Sequence, residues 1–196
     1  MNYASNRLQY LVRLALLTAI TVVLSFTYLP LGPISATLVM IPVVIGAIML
    51  GPGAGTFLGL VFGLTSIFAA YRGDPWGTTL LNINQFCTWI VNIVPRVLMG
   101  FLSGVIFRPF KEEKPKLGYW ITGLSGAVLN TLLYGVFLVI FFIGTYFQGA
   151  SLWKAAGIYF AAVAIQATCE AVICCTVTGA VCIALAAYDR RASRTQ

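Results

Sequence analysis

Apolar runs long enough to cross a lipid bilayer follow one another along this chain, with only short polar breaks between them. A membrane-spanning helix needs about 20 apolar residues, because its length must match the hydrocarbon thickness. Of 196 residues, 60% are hydrophobic and 9% charged. A soluble domain of this size leaves too much surface in water to hide such a composition. A soluble fold is therefore excluded, and the length leaves room for roughly five to seven spans.

Leu8 to Leu29 is the first predicted helix, closed by Pro30, Gly32 and Pro33. It is long for the apolar part of a signal peptide, and no small-residue cleavage site follows. Ala36 to Leu50 forms a short second helix ended by Gly51-Pro52, and Gly53 to Ala70 the third. Tyr71 to Leu81 reads as a polar loop, Asn82 to Phe107 as the fourth helix, and Arg108 to Lys116 as a charged loop. Leu117 to Ile143 is the fifth helix, and Gly144 to Ser151 a turn. Leu152 to Tyr188 holds the sixth and exceeds one crossing, which predicts a start along the interface or a bend at Gly157. The expected fold is all-α: one membrane-embedded domain over 1–196 with six transmembrane helices.

The cations orient it. With the N-terminus inside, Arg7, Arg13, Arg108, Lys111, Lys114, Lys116, Arg190, Arg191 and Arg194 face the cytoplasm, and Arg72 and Lys154 face outward. That bias predicts both termini in the cytoplasm. The net charge of +7 is thus a topology signal rather than a nucleic-acid surface.

The chain has no histidine and five acids, Asp74, Glu112, Glu113, Glu170 and Asp189. Triad hydrolysis lacks its base, and a zinc-binding HExxH motif cannot be built. The cysteines form no CxxC, so they read as small buried hydrophobes and call for no metal or cofactor. No nucleotide motif is present: GPGAG lacks the GK[ST] ending of a phosphate loop.

Gly55, Gly59 and Gly63 recur every four residues, as do Gly100 and Gly104, which predicts close approach of helix backbones. Ala15 and Ala19 share that spacing in the first helix. Spacing alone leaves packing within the chain and docking of another subunit both open.

Polar residues inside a membrane are costly, and are functional candidates for that reason. The fourth helix carries Asn84, Gln85, Trp89, Asn92 and Arg96, the fifth Asn130, Thr131 and Tyr134, and the sixth Tyr159, Gln166 and Glu170. Residues 85, 89, 92 and 96 share one helical face. With the orientation above, these groups converge on a cavity open to the outside, the composition a small-molecule site needs. Arg96 and Glu170 have two readings. They form a structural ion pair beneath the pocket, or Arg96 receives a substrate carboxylate. Arg72 and Trp76, in the third outer loop, are candidates for a gate.

The stretches RLALLTAIT, LGPISATLVMIPVVIGAIMLGPGAGTFLGLVFGLTS, VPRVLMGFLSGVIF, GLSGAVLNTLLYG and ATCEAVI, in this order, resemble the substrate-binding S components of energy-coupling factor (ECF) vitamin transporters. The resemblance implies capture of a water-soluble vitamin from outside, and delivery by toppling in the membrane. It implies as partners a transmembrane coupling subunit and two cytoplasmic ATPases. It makes Ala15 and Ala19 the docking surface. The first outer loop, with Leu31, Pro33 and Thr37, becomes a gate with the third as its partner. The pantothenate-type branch fits best, with riboflavin and folate next. The rival class is a self-sufficient secondary transporter with Glu170 as ion carrier, for which no inverted repeat is evident. An intramembrane enzyme lacks a base and a clear nucleophile.

Overall fold

The computed structural model describes residues 3–26, 38–147 and 151–192. All regular structure among them is helical: α1 Tyr3–Ser25, α2 Met40–Leu50, α3 Pro52–Tyr71, α4 Pro75–Ile83, α5 Gln85–Phe107, α6 Phe110–Glu113, α7 Pro115–Phe142 and α8 Leu152–Ala192. Five of these are long and apolar enough to cross a membrane, namely α1, α3, α5, α7 and α8.

The shorter α2 is the centre of the bundle. Its residues from Met40 to Ile48 are all buried, and it packs on α1, α3, α5, α7 and α8. A helix that is apolar on every side has to be enclosed. At 11 residues it is about 16 Å long, so neighbours rather than lipid must cover its ends. Gly51 joins it to α3 at a positive φ of 98°, and Pro52 opens α3. That turn seats on α5, where a β-carbon on Gly104 would lie 2.6 Å from Pro52 Cα.

The glycine stripes carry the α3–α5 seam, as their spacing predicts. A β-carbon on Gly55 would strike the carbonyl oxygen of Gly100, and one on Gly59 that of Arg96. The seam therefore sets the position of the Arg96 backbone. On α1, Ala15 and Ala19 both face outward, in a row of exposed side chains that includes Leu8, Leu11, Val12, Leu16 and Ile20.

Four predicted boundaries differ. Tyr71 to Leu81 is not a loop throughout. Asp74 caps α4, its carboxylate accepting from the Gly77 N–H at 2.8 Å, and Pro75 fills the first helical position. Nor does one helix run from Asn82 to Phe107. Asn84 is extended (φ −158°, ψ 106°) and separates α4 from α5. The charged loop contains the four-residue helix α6. Finally, α8 runs unbroken through Gly157 for 41 residues, about 61 Å. A glycine keeps both backbone hydrogen-bonding groups, and its cost of about 1 kcal/mol does not break so long a helix.

Toward the end of the bundle where α8 finishes, Arg13 donates from both terminal nitrogens to Asp189, at 3.0 and 2.6 Å. This ties α1 to the end of α8. The candidate site lies toward the opposite end.

Candidate functional site

A cavity of about 690 Å³ opens among α1, α3, α4, α5, α7 and α8. Its volume lies within the range of small-molecule sites. The start of α4 and the end of α3 form part of its rim through Arg72, Asp74 and Trp76. From α5 come Asn92 and Arg96, from α7 Asn130, Thr131 and Tyr134, and from α8 Tyr159, Gln166 and Glu170.

Arg96 is held from three sides. Its Nη1 donates to the Asn92 carbonyl at 2.8 Å, one helical turn back. The guanidinium carbon lies 4.7 Å from the Phe62 ring centre and 5.0 Å from that of Tyr134. Such cation–π contacts fix a cation without consuming its N–H donors. The Nε is buried and has no hydrogen-bond partner, and Asn130 Oδ1 is in the same condition. Buried polar atoms almost always have partners, so two orphans lining one cavity mark where a ligand would bond.

The surrounding groups bond to one another. Trp76 Nε1 donates to the Tyr134 hydroxyl at 3.1 Å, linking α4 to α7. Tyr159 is buried, with its ring over Gly135, where no β-carbon would fit. Glu170 is 4% exposed and accepts from Gln166 Nε2 at 2.8 Å.

The structural ion pair between Arg96 and Glu170 does not form among the described residues. The ion pair found there is Arg13 with Asp189. Arg96 and Glu170 both line the cavity, from different helices, and each is held by neighbours on its own helix.

The shared face of residues 85, 89, 92 and 96 splits by depth. Asn92 and Arg96 line the cavity, whereas Gln85 and Trp89 are exposed outside it. Tyr71, the last residue of α3, intercepts both: its hydroxyl accepts from Gln85 Nε2 and, at 3.4 Å, from Trp89 Nε1. Asn84 is also outside, because its side chain caps α5 by accepting from the Cys87 N–H at 3.1 Å. Arg72 and Trp76 lie on the rim, and Arg72 also stacks on Phe68 at 5.7 Å. Leu31, Pro33 and Thr37 lie outside the described residues.

Sequence reasoning missed the contribution of α1 and α3. Ser25, Phe62, Thr65 and Ser66 line the cavity, and the Ser25 and Thr65 hydroxyls share a hydrogen bond of 2.8 Å. The available signal was the polar pair Thr65-Ser66 in an otherwise apolar helix.

With this geometry established, comparison with known proteins decides the family. A family model, the ECF transporter substrate-specific component, matches residues 9–182. The chain belongs to that family. This S component is therefore a transport subunit rather than an enzyme, and a multi-pass protein of the prokaryotic plasma membrane. It is 29% identical to the pantothenic acid transporter PanT of Lactococcus lactis over 174 residues, covering 78% of this chain and 79% of that one. It is 30% identical to the pantothenate transporter PanT of Leuconostoc mesenteroides over 113 residues, covering 54% and 53%. A solved structure of ThiT from Listeria monocytogenes superposes with a TM-score of 0.62 at 25% identity, covering 94% of this S component and 97% of ThiT.

Proposed function

We propose that this S component captures pantothenate from outside the cell and delivers it through an ATP-driven coupling module. The observation that carries the ligand assignment is Arg96, a cation stacked between two aromatic rings with a buried, unpartnered Nε. A buried cation gains most from a carboxylate that its planar fork can meet with charge-assisted hydrogen bonds. Pantothenate ends in a carboxylate, and its amide and hydroxyls suit Asn130 and the serine and threonine hydroxyls of the lining. The two pantothenate transporters among its relatives support the same reading.

The remaining roles rest on the likeness to ECF S components. With the termini in the cytoplasm, the cavity opens outward. Arg72, Trp76 and the start of α4 serve as a gate, with Leu31, Pro33 and Thr37 as its other half. Ala15 and Ala19, exposed on α1, offer a smooth face to the coupling subunit. ATP is hydrolysed by two partner ATPases, and the S component topples to release its cargo.

The test is a titration of the purified protein, followed by fluorescence of Trp76 on the cavity rim. Arg96→Gln leaves a bound carboxylate without its cation, which costs about 3–5 kcal/mol. The expected loss of pantothenate affinity is a hundredfold or more, with little change for the alcohol analogue that lacks the carboxylate. Equal loss for both ligands would overturn the assignment of Arg96. Tight binding of riboflavin or folate but not pantothenate would overturn the ligand. Gradient-driven uptake by this chain alone would favour the secondary transporter.

A further inference from the structure

Trp76 and Tyr134 form a chain from the rim of the cavity to its buried cation. The indole Nε1 donates to the Tyr134 hydroxyl at 3.1 Å. The Tyr134 ring lies against the Arg96 guanidinium, with Cζ 5.0 Å from the ring centre. On its other side Trp76 meets Tyr146 edge to face, with ring centres 5.5 Å apart. The indole is thus braced between the α7–α8 connection and the cavity. Stacking on the cation accounts for the phenol ring but not for its hydroxyl.

The valence of that oxygen narrows its role. An indole nitrogen only donates, so the phenol oxygen accepts in this bond. The phenol keeps its own hydrogen, which has no acceptor among the described residues. The incoming N–H and the phenol hydrogen repel each other and take different sides of the oxygen, so Trp76 turns the O–H away from itself. Tyr134 is half-buried and lines the cavity. The other donor left over there is Arg96 Nε, buried and without a partner. Because the guanidinium stacks on the Tyr134 ring, an anion drawn to Arg96 arrives beside the hydroxyl of that ring.

The geometry points to Tyr134 as a second donor to the ligand carboxylate, and to Trp76 as the positioning residue that aims it. The inference rests on Arg96 receiving that carboxylate. A hydroxyl that accepts from an indole while donating to a carboxylate is strengthened in each bond by the other. Capture of the anion therefore tightens the link between α7 and α4 at the rim. Carboxylate is told from alcohol by two groups on two helices, one charged and one neutral.

The test is calorimetric titration of the purified full chain with pantothenate and with its alcohol analogue. Tyr134→Phe keeps the ring over Arg96 and removes only the hydroxyl. The expected loss is tenfold or more for pantothenate, the scale of one hydrogen bond to a charged group. The alcohol loses threefold or less, which also shows that the variant folds. Trp76→Phe keeps an aromatic ring against Tyr146 and removes the N–H. It should cost three- to tenfold for pantothenate, and less than twofold more when added to Tyr134→Phe, because the two act through one bond. If Tyr134→Phe does not fold, the selectivity of Trp76→Phe for pantothenate over the alcohol decides alone. Equal loss for both ligands in either variant, no loss in Tyr134→Phe, or full additivity of the two changes would overturn the inference while Arg96→Gln still discriminates. If Arg96→Gln does not discriminate between the ligands, the reading of Arg96 falls and this inference falls with it.

Discussion

Replacing Gly63 by alanine tests how the site is held. Gly63 lies on the α3 face that meets α5, and a β-carbon there would lie 2.9 Å from Ile93 Cα and 3.0 Å from the Asn92 carbonyl oxygen. Ordinary contact begins about half an ångström farther out, so α3 and α5 must part by about that much. Overpacking of this kind costs about 1–3 kcal/mol. For a chain of this length, each kcal/mol lowers the unfolding midpoint by about 2–4 °C. The displaced oxygen is also the one that accepts from Arg96 Nη1 at 2.8 Å. A weakened hydrogen bond at the guanidinium costs about 1 kcal/mol more, or about fivefold in ligand affinity. Thermal unfolding in detergent and a pantothenate titration read the two effects separately. Gly157→Ala is the control, since nothing lies within 4 Å of a β-carbon there; it should lose no stability. If Gly63→Ala unfolds and binds like the unmodified protein, or if the control loses as much, the backbone seam does not position Arg96.

Two further outcomes are expected. Asp74→Ala removes the cap of α4 and should cost about 0.5–2 kcal/mol locally, seen as faster hydrogen exchange over residues 75–83 and faster ligand release, with α8 exchange unchanged. Arg13→Gln and Asp189→Asn should each lower stability only modestly, because the pair is 42% and 36% exposed and such pairs contribute about 1 kcal/mol or less. Swapping the two residues should recover what either single change loses.

The helices were legible because lipid leaves a chain few choices: every backbone polar group must bond within its own segment. The glycine stripes were legible for a related reason, since only a residue without a side chain lets two backbones meet. Periodicity also put Asn92 and Arg96 on one face of α5, and that face lines the cavity. It gave no depth, and Gln85 and Trp89 fell outside because α3 ends at Tyr71 and holds them there. Asn84 lies outside the cavity for a different reason. An asparagine before a helix serves as a cap as readily as a ligand, and which it does depends on where the helix begins.

By itself, the sequence determined that this chain lies in a membrane as a helical bundle, that α3 and α5 each carry a glycine face on which another backbone can close, and that no histidine-based catalysis is available. Tertiary structure decided which polar groups meet. Arg96 and Glu170 looked like partners because each carried a charge deep in its own helix. They are kept from pairing by the packing order, in which α7 packs against both α5 and α8 while α5 and α8 hardly touch each other. A linear pattern reports the face a residue occupies. The distance between two faces is fixed only when the helices pack around a common core.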